Sequence, residues 1–167
     1  MDKKLLKEAA ILYKNVAGSY DKVTVGKALW KQVIISKIMF ARGVLIQSKE
    51  DLDKAQKIEY GMYRYLLGVA GYTAKEAIRG EIGASLMESR QREASILFVK
   101  DGLECEFEKV KIALENNIKK NKGDWIHRIN RFMETVNLTW TDIRTKNRQE
   151  IRDIIRDHDT KLWEEEM

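Results

Sequence analysis

The sequence predicts an all-α protein, an irregular multi-helix bundle of about six to eight helices with no sheet. The chain of 167 residues contains no proline, although ordinary usage of roughly 5% would give about eight, so no helix interior is interrupted by a missing N–H. Apolar residues recur at spacings of three and four along most of the chain, and no stretch alternates with the period of a strand. Helix-start residues and glycines separate the periodic segments.

Two amphipathic helices are predicted in the first third of the chain. Residues 3–16 carry one apolar face, and "NVAGSYDK" ends that pattern. A second helix is predicted from about Thr24 to Leu45, with Phe40 and Val44 on its apolar stripe. Because Trp30 and its neighbours extend the apolar surface almost all round, we expect this helix to be buried.

Ser48 and Gly68 mark the ends of a third helix. Ser48, three residues before Asp51, is typical of an N-cap, and Gly68 follows the last apolar position, Leu67. Downstream, two segments fit the reciprocal capping box of a hydroxyl followed three residues later by glutamate. They are Thr73-Ala-Lys-Glu76 and Ser85-Leu-Met-Glu88. They predict a helix of about two turns over 74–79 and a longer helix that begins at residue 86.

A structural joint is predicted between those two helices, at "RGEIG". Glycine takes a positive φ at the least cost, so the glycines are expected to turn the chain there. Arg79 either braces the joint or contacts a phosphate, and both interpretations stay open. A lone Gly-x-x-Gly lacks the strand, lysine and hydroxyl of a nucleotide-binding loop. The predicted joint comprises Thr73, Glu76, Gly80, Glu81, Gly83, Ser85 and Glu88.

The last third of the chain predicts further helices. Phe107, Val110, Leu114 and Ile118 define one apolar face. Asp124 is predicted to cap the next helix. Asn147-Arg-Gln-Glu150 supplies a capping box for the final one. With no linker and no convincing repeat, we expect a single helical domain over residues 1–167, with a C-terminal helical subregion at 103–167.

Composition argues against several kinds of site and location. One cysteine cannot form a disulfide within the chain, and with two histidines it falls short of a four-ligand zinc site. The longest apolar stretch, nine residues interrupted by Lys37, is far too short to span a bilayer, and the N-terminus lacks the apolar core of a signal peptide. We therefore expect no metal, no cofactor, no membrane association and an intracellular location, in the cytoplasm or nucleus.

No catalytic motif emerges from the sequence. There is no Asp-Asp pair, no Gly-x-Ser-x-Gly, no His-Glu-x-x-His and no lysine-bearing phosphate loop. His127 and His158 read as surface or packed histidines. The sequence therefore predicts no catalytic residue and no enzyme activity.

Positive charge is concentrated toward the N-terminus. Residues 1–64 hold thirteen Lys and Arg against seven Asp and Glu, net +6, whereas residues 65–115 are net −2 and residues 116–167 net +1. Such an excess permits contact with a polyanion, although it is more often only a solvated surface. "EYGMYRYLLG" adds tyrosines beside an arginine, a combination that stacks on and clamps nucleic acid in other proteins. The candidate nucleic-acid-binding residues are Lys22, Lys27, Lys31, Lys57, Tyr60, Arg64, Arg79, Arg90 and Arg92.

Several motifs together resemble the region that follows the polymerase core in reverse transcriptases of non-LTR (LINE-type) retrotransposons. In that family a tryptophan-bearing helix is followed by an Arg-x-Leu-Leu-Gly-type sequence, an Ala-Leu-Arg-Gly-Glu-Leu/Ile-Gly motif and a basic helix. "RYLLG" and "AIRGEIGAS" match in that order, the latter most specifically. The resemblance is strongest over residues 18–100 and looser from 120 to 163. The matching residues are Trp30, Gly43, Arg64, Leu66, Leu67, Gly68, Ala77, Arg79, Gly80, Glu81 and Gly83.

The resemblance implies a thumb-like helical domain that holds a template–primer duplex by its sugar-phosphate backbone. The family's Tyr/Phe-Ala-Asp-Asp catalytic motif, its endonuclease and its zinc knuckle are missing from this chain. The expected function is therefore non-catalytic, non-specific binding of RNA or DNA. The alternative is a helical scaffold, a domesticated fragment that binds other proteins or itself through apolar helix faces.

Overall fold

The computed structural model describes residues 3–40, 43–121 and 123–166. Over these residues the predicted all-α class is confirmed, with 78% of them helical and no strand. The segments are α1 Lys3–Val16, α2 Lys22–Leu29, a π-helical turn Trp30–Ile35, α3 Ser36–Ile38, α4 Lys49–Leu67, α5 Lys75–Ile82, α6 Met87–Glu104, α7 Glu108–Lys120, α8 Asp124–Thr135, α9 Trp140–Thr145 and α10 Arg148–Glu166. Because α2, the π-helical turn and α3 follow one another without a break, the described residues form nine helices, slightly more than the predicted six to eight.

These helices belong to two compact units. We call residues 3–40 and 48–87 the N-terminal unit, and residues 43–47, 88–121 and 123–165 the C-terminal unit. Each unit has its own cluster of buried apolar side chains. The single domain expected over residues 1–167 stays a prediction.

The core of the N-terminal unit joins α1, the π-helical turn, α4 and α5. Its largest fully buried side chains include Trp30, Met62, Leu66 and Ile78. Helices α2 and α4 approach closely at Gly26, where an added Cβ would overlap the side chain of Leu66. Glycine at this position therefore lets Leu66 pack against α2 without a shift.

The second predicted helix ends earlier than the sequence suggested. Helix α3 stops at Ile38, whereas the apolar pattern extended the helix to Leu45. Phe40 is 80% exposed and Val44 is 49% exposed, so neither continues the buried stripe. Hydrophobic spacing alone did not reveal this end because the sequence offers no proline or cap there.

A buried polar network crosses the core of the N-terminal unit. Glu59 on α4 is fully buried, and its Oε1 accepts hydrogen bonds from Trp30 Nε1 at 3.2 Å and from Tyr63 Oη at 2.6 Å. Its Oε2 accepts from Gln56 Nε2 at 3.0 Å. In turn, Gln56 Oε1 accepts the backbone N–H of Met87 at 2.7 Å. Buried polar groups need such partners, so the network links the π-helical turn and Met87 to α4 within the N-terminal unit.

In the C-terminal unit, α6 and α8–α10 share a second core. Its buried apolar residues are Ile96, Leu97, Val99, Ile129, Met133, Val136, Leu138, Ile143, Ile151 and Ile155. The segment before α4 contributes at Gly43, where a Cβ would come within 2.6 Å of Phe98 Cβ. Gly43 O also accepts from Trp125 Nε1 at 3.3 Å.

Capping confirms some predicted helix starts in detail. Ser48 Oγ accepts from Asp51 N at 3.2 Å, and Gly68 ends α4 with a φ of 67°. Asn147 Oδ1 accepts from the N–H of Glu150 at 2.9 Å, while the Glu150 carboxyl accepts from Asn147 N at 2.6 Å. The capping box predicted for the last helix is therefore present. For α8 the N-cap is Gly123, one residue before the predicted Asp124.

Helix α7 packs less closely than the sequence predicts. None of its residues is buried. Leu114 and Ile118 contact the core as expected, but Phe107 is 75% exposed and Val110 is 48% exposed.

No helix among the described residues is both long and apolar enough to cross a membrane.

Candidate nucleic-acid interface

Helix α2 and the π-helical turn that continues it carry two of the candidate lysines on one face, Lys27 on α2 and Lys31 in the turn. Asp21 caps the helix by accepting the backbone N–H of Thr24 at 3.0 Å. That bond, with one from the Thr24 hydroxyl, holds the pKa of the Asp21 carboxyl below its ordinary value. Lys27 and Lys31 follow Thr24 at helical spacing, and both are exposed. The lysines are therefore positioned by a capped helix and not by a loop.

Lys27 and Lys31 line an open groove of about 400 Å³ between α2 and the end of α5. Side chains of one face of α2 form one wall, and Glu81 and Ile82 of α5 contribute the other. The lining residues are Val23, Thr24, Lys27, Ala28, Lys31, Glu81 and Ile82. Apolar groups and charges of both signs thus meet in one place.

Lys27 ties the two walls together, because its Nζ donates a hydrogen bond to the carbonyl oxygen of Ile82. Ile82 is the last residue of α5, where carbonyl groups lack intrahelical partners and the helix dipole is negative. A lysine ammonium is stabilised at such an end. The bond therefore gives Lys27 a structural role at the joint in addition to its place in the groove.

The joint itself differs from the prediction at Gly80. Helix α5 continues through Gly80 and Glu81 to Ile82, so Gly80 occupies a helix interior and does not turn the chain. Gly83 alone has the predicted positive φ, 64°, and its N–H donates to Arg79 O at 2.8 Å. The helix ends three residues later than expected because glycine, although a weak helix former, does not end a helix by itself.

The predicted caps around the joint also differ. The N-cap of α5 is Ala74, without a side-chain hydrogen bond, so Thr73 does not cap the helix. The carbonyl of Thr73 instead accepts from Arg64 Nη2 at 3.0 Å. Glu76 lies in the first turn of α5. Since Thr73 lies one residue too early to cap α5, the predicted box with Glu76 does not form.

Helix α6 begins at Met87, one residue after the predicted start. Ser85 is half-buried in the preceding segment. Glu88 reaches forward along the helix, where its Oε1 accepts from Arg92 Nη2 at 3.4 Å. The acceptor at the first helical N–H is the Gln56 side chain, which sequence spacing could not identify because α4 supplies it.

Three of the nine candidate binding residues are buried. Tyr60, Arg79 and Arg92 are 7%, 7% and 5% exposed. Tyr60 belongs to the core of the N-terminal unit, and Arg79 takes part in interactions within the chain. Arg92 pairs with Glu88. These side chains therefore offer little surface for contact with a duplex, and their role in binding stays a prediction.

The other candidates lie at the surface or are partly covered. Arg64 is half-buried and bonds to Thr73. Lys22 is half-buried, with its Nζ 5.9 Å from the centre of the Tyr65 ring, a cation–π arrangement. Lys57 is exposed and Arg90 is half-buried. Of the nine residues, the groove brings together Lys27 and Lys31.

Several residues of the groove were not among the predicted binding residues. Val23, Thr24 and Ala28 lie on the same helical face as Lys27 and Lys31, so helical spacing around the lysines identifies them. Glu81 was assigned to the joint, yet it is exposed and lines the groove. That placement required the full extent of α5, which the glycines obscured.

Within the described ranges, no cluster of three or more His, Cys, Asp or Glu residues is arranged to hold a metal ion. His127 is exposed and His158 is half-buried.

Comparison with models of protein families, with curated proteins and with solved structures found no match.

Proposed function

We propose that this chain is a non-catalytic, intracellular domain that binds the sugar-phosphate backbone of RNA or DNA without reading its bases. The observation that carries the proposal is the lysine-lined groove of the N-terminal unit, where Lys27 and Lys31 are both exposed. Contacts from lysine to phosphate need no base-specific geometry. The resemblance to the thumb-like region of retrotransposon reverse transcriptases is the source of the expected ligand, a template–primer duplex.

The distribution of charge supports this location. Residues 1–40 contain eight lysines and three acidic residues, net +5, which equals the net charge of the whole chain. One of these lysines, Lys37, pairs with Glu8 at 2.7 Å, and Lys27 holds the end of α5. Lys31 is exposed and lines the same groove as Lys27. We therefore expect Lys31 to contribute more to phosphate binding than the buried arginines do.

Binding should be tested by fluorescence anisotropy with duplex DNA, an RNA–DNA hybrid and single-stranded RNA at several salt concentrations. Non-specific backbone contact weakens steeply as salt rises. Lys31→Ala should lower affinity for all sequences alike and reduce the slope of log K against log salt by about one. The matched control is Lys109→Ala, which removes an exposed lysine from α7 and should leave the slope unchanged.

Absent or salt-insensitive binding by the unmodified chain would refute the proposal. Equal losses in the two lysine variants would show that net charge matters and the groove does not. Surface substitutions of this kind usually change stability by less than about 0.5 kcal/mol. A melting curve for each variant therefore separates loss of binding from loss of folding.

Exposed apolar residues on α7 favour a second candidate function, self-association. Val110 is 48% exposed and Ala113 lies on the same flank. The helix is preceded by Glu106 and carries Lys119 and Lys120 in its last turn, all exposed. In an antiparallel pair of α7 helices, Glu106 and Glu108 at the start of each copy would face Lys119 and Lys120 at the end of the other. A two-fold interface repeats that complementary contact.

Sedimentation velocity over a range of protein concentrations tests this second candidate. One helix face is smaller than the roughly 1,200–2,000 Å² of a stable interface, so we expect weak, salt-sensitive dimerisation. Val110→Glu should abolish it. Ile11→Glu, at an exposed apolar position of α1, should have no effect, and a monomer at every concentration would eliminate this candidate.

A further inference from the structure

The groove between α2 and α5 contains more than phosphate binding requires. A surface that only attracts a backbone needs cations, whereas this groove also has apolar lining from Val23 and Ala28 and a carboxylate from Glu81. We infer that it holds one unpaired nucleotide whose base carries an exocyclic amino group, cytosine or adenine. This inference rests on the proposed function and names the part of the nucleic acid that enters the groove.

The N–H donors of the lysines would bind the phosphate of that nucleotide. An ammonium group has three N–H donors, and Lys27 uses one of them on Ile82 O. Lys27 and Lys31 both line the groove. We therefore assign these two cations to the phosphate.

The apolar lining accounts for the base. Val23 is half-buried and Ala28 is exposed, so both present apolar surface to the groove. Small-molecule sites of about 300–1,000 Å³ combine such surface with a few polar groups that set orientation. At about 400 Å³, the open groove has room for one nucleotide.

Glu81 would select a base that carries an exocyclic amino group. An ionised carboxylate only accepts hydrogen bonds, and it repels phosphate, so Glu81 would oppose a groove that binds phosphate alone. An exocyclic amino group donates to such an acceptor, as cytosine N4 does to Glu or Asp in duplex readout. Uracil presents a carbonyl oxygen at that position and should be disfavoured.

The test compares cytidine monophosphate, uridine monophosphate and inorganic phosphate by NMR titration of the full-length, ¹⁵N-labelled chain. Cytidine monophosphate should shift amide signals of α2 and the end of α5 and bind about tenfold more tightly than uridine monophosphate, the effect of one hydrogen bond to a charged acceptor. Glu81→Gln should bring the two affinities close together, because an amide both donates and accepts. Glu76→Gln, a change of the same kind elsewhere on α5, should preserve the preference.

A duplex with a single-nucleotide cytidine overhang identifies the source of the nucleotide. Tighter binding than to the blunt duplex indicates the end of a strand, whereas equal binding indicates a free nucleotide. Equal affinities for both monophosphates and for inorganic phosphate would overturn the inference, as would shifts confined to other helices. Salt-dependent duplex binding can persist after either failure, so this result is distinguishable from failure of the proposed function.

Discussion

Replacing Tyr63 by phenylalanine removes one hydroxyl from the buried network around Glu59 and leaves the ring in place. The hydroxyl donates to Glu59 Oε1 at 2.6 Å, and Tyr63 is 2% exposed. Glu59 is fully buried, so water cannot replace the lost donor. We expect Tyr63→Phe to destabilise the N-terminal unit.

The magnitude follows from what remains after the change. A buried group that loses its partner costs about 1–3 kcal/mol. Glu59 Oε1 still accepts from Trp30 Nε1 at 3.2 Å, so the acceptor is not left without a donor. We therefore expect a loss in the lower part of that range, about 1–2 kcal/mol. In a chain of this size each kcal/mol corresponds to a fall in Tm of about 2–4 °C.

The measurement is urea unfolding followed by circular dichroism and by tryptophan fluorescence. Tyr65→Phe is a matched control two residues away on the same helix. The Tyr65 hydroxyl donates to Tyr13 O at 3.2 Å, but Tyr65 is 38% exposed, and water can satisfy the carbonyl. Its loss should stay below about 0.5 kcal/mol. Equal effects of the two substitutions would refute the structural role assigned to the Glu59 network.

Two further predictions concern helix ends. Gly83→Ala should destabilise the protein by about 1–2 kcal/mol, because an L-residue is strained at a φ of 64°. Gly80→Ala, in the exposed interior of α5, should be neutral or stabilise the protein by up to about 1 kcal/mol. If thermal melts showed the larger loss for Gly80→Ala, the turn would lie at Gly80. Hydrogen bonds from the Thr139 hydroxyl and backbone N–H hold the pKa of Asp142 below its ordinary value of 3.8. Thr139→Val should raise that pKa toward 3.8 in an NMR titration. Since a lowered carboxyl pKa adds stability that is present above 3.8 and lost as the pH falls through the folded-state value, the stability difference between the two proteins should shrink in acid. An unchanged Asp142 midpoint would contradict the assignment of the cap.

Local signals predicted the fold class and several helix boundaries well. The Ser48 and Asn147 caps and the Gly68 stop depend only on residues three or four apart, and all three are present. Tertiary structure decided the features that were missed. Arg79 and Arg92 looked like surface cations because charge carries no information on burial, yet both are covered by the fold.

The groove was predictable from the sequence only in part. Lys27 and Lys31 were recognisable as neighbours on one helix face, but their partner wall comes from α5, more than fifty residues later. Its position depended on where α5 ends. Because the sequence placed that end at Arg79 instead of Ile82, it could not assign Glu81 to the same site.

The π-helical turn at Trp30–Ile35 has a consequence for the detection of distant relatives. A π turn closes with hydrogen bonds from residue i to i+5 and so acts as a one-residue insertion into an α-helix. Both Ile34 and Ile35 are buried, whereas a straight helix would point consecutive residues about 100° apart. The sequence of an ancestor or relative without the extra residue would align with this chain up to Leu29. Beyond Leu29, the alignment would need a one-residue gap in that sequence. A comparison that forbids gaps within helices would therefore find unrelated faces beyond this point, even between chains that share the same core.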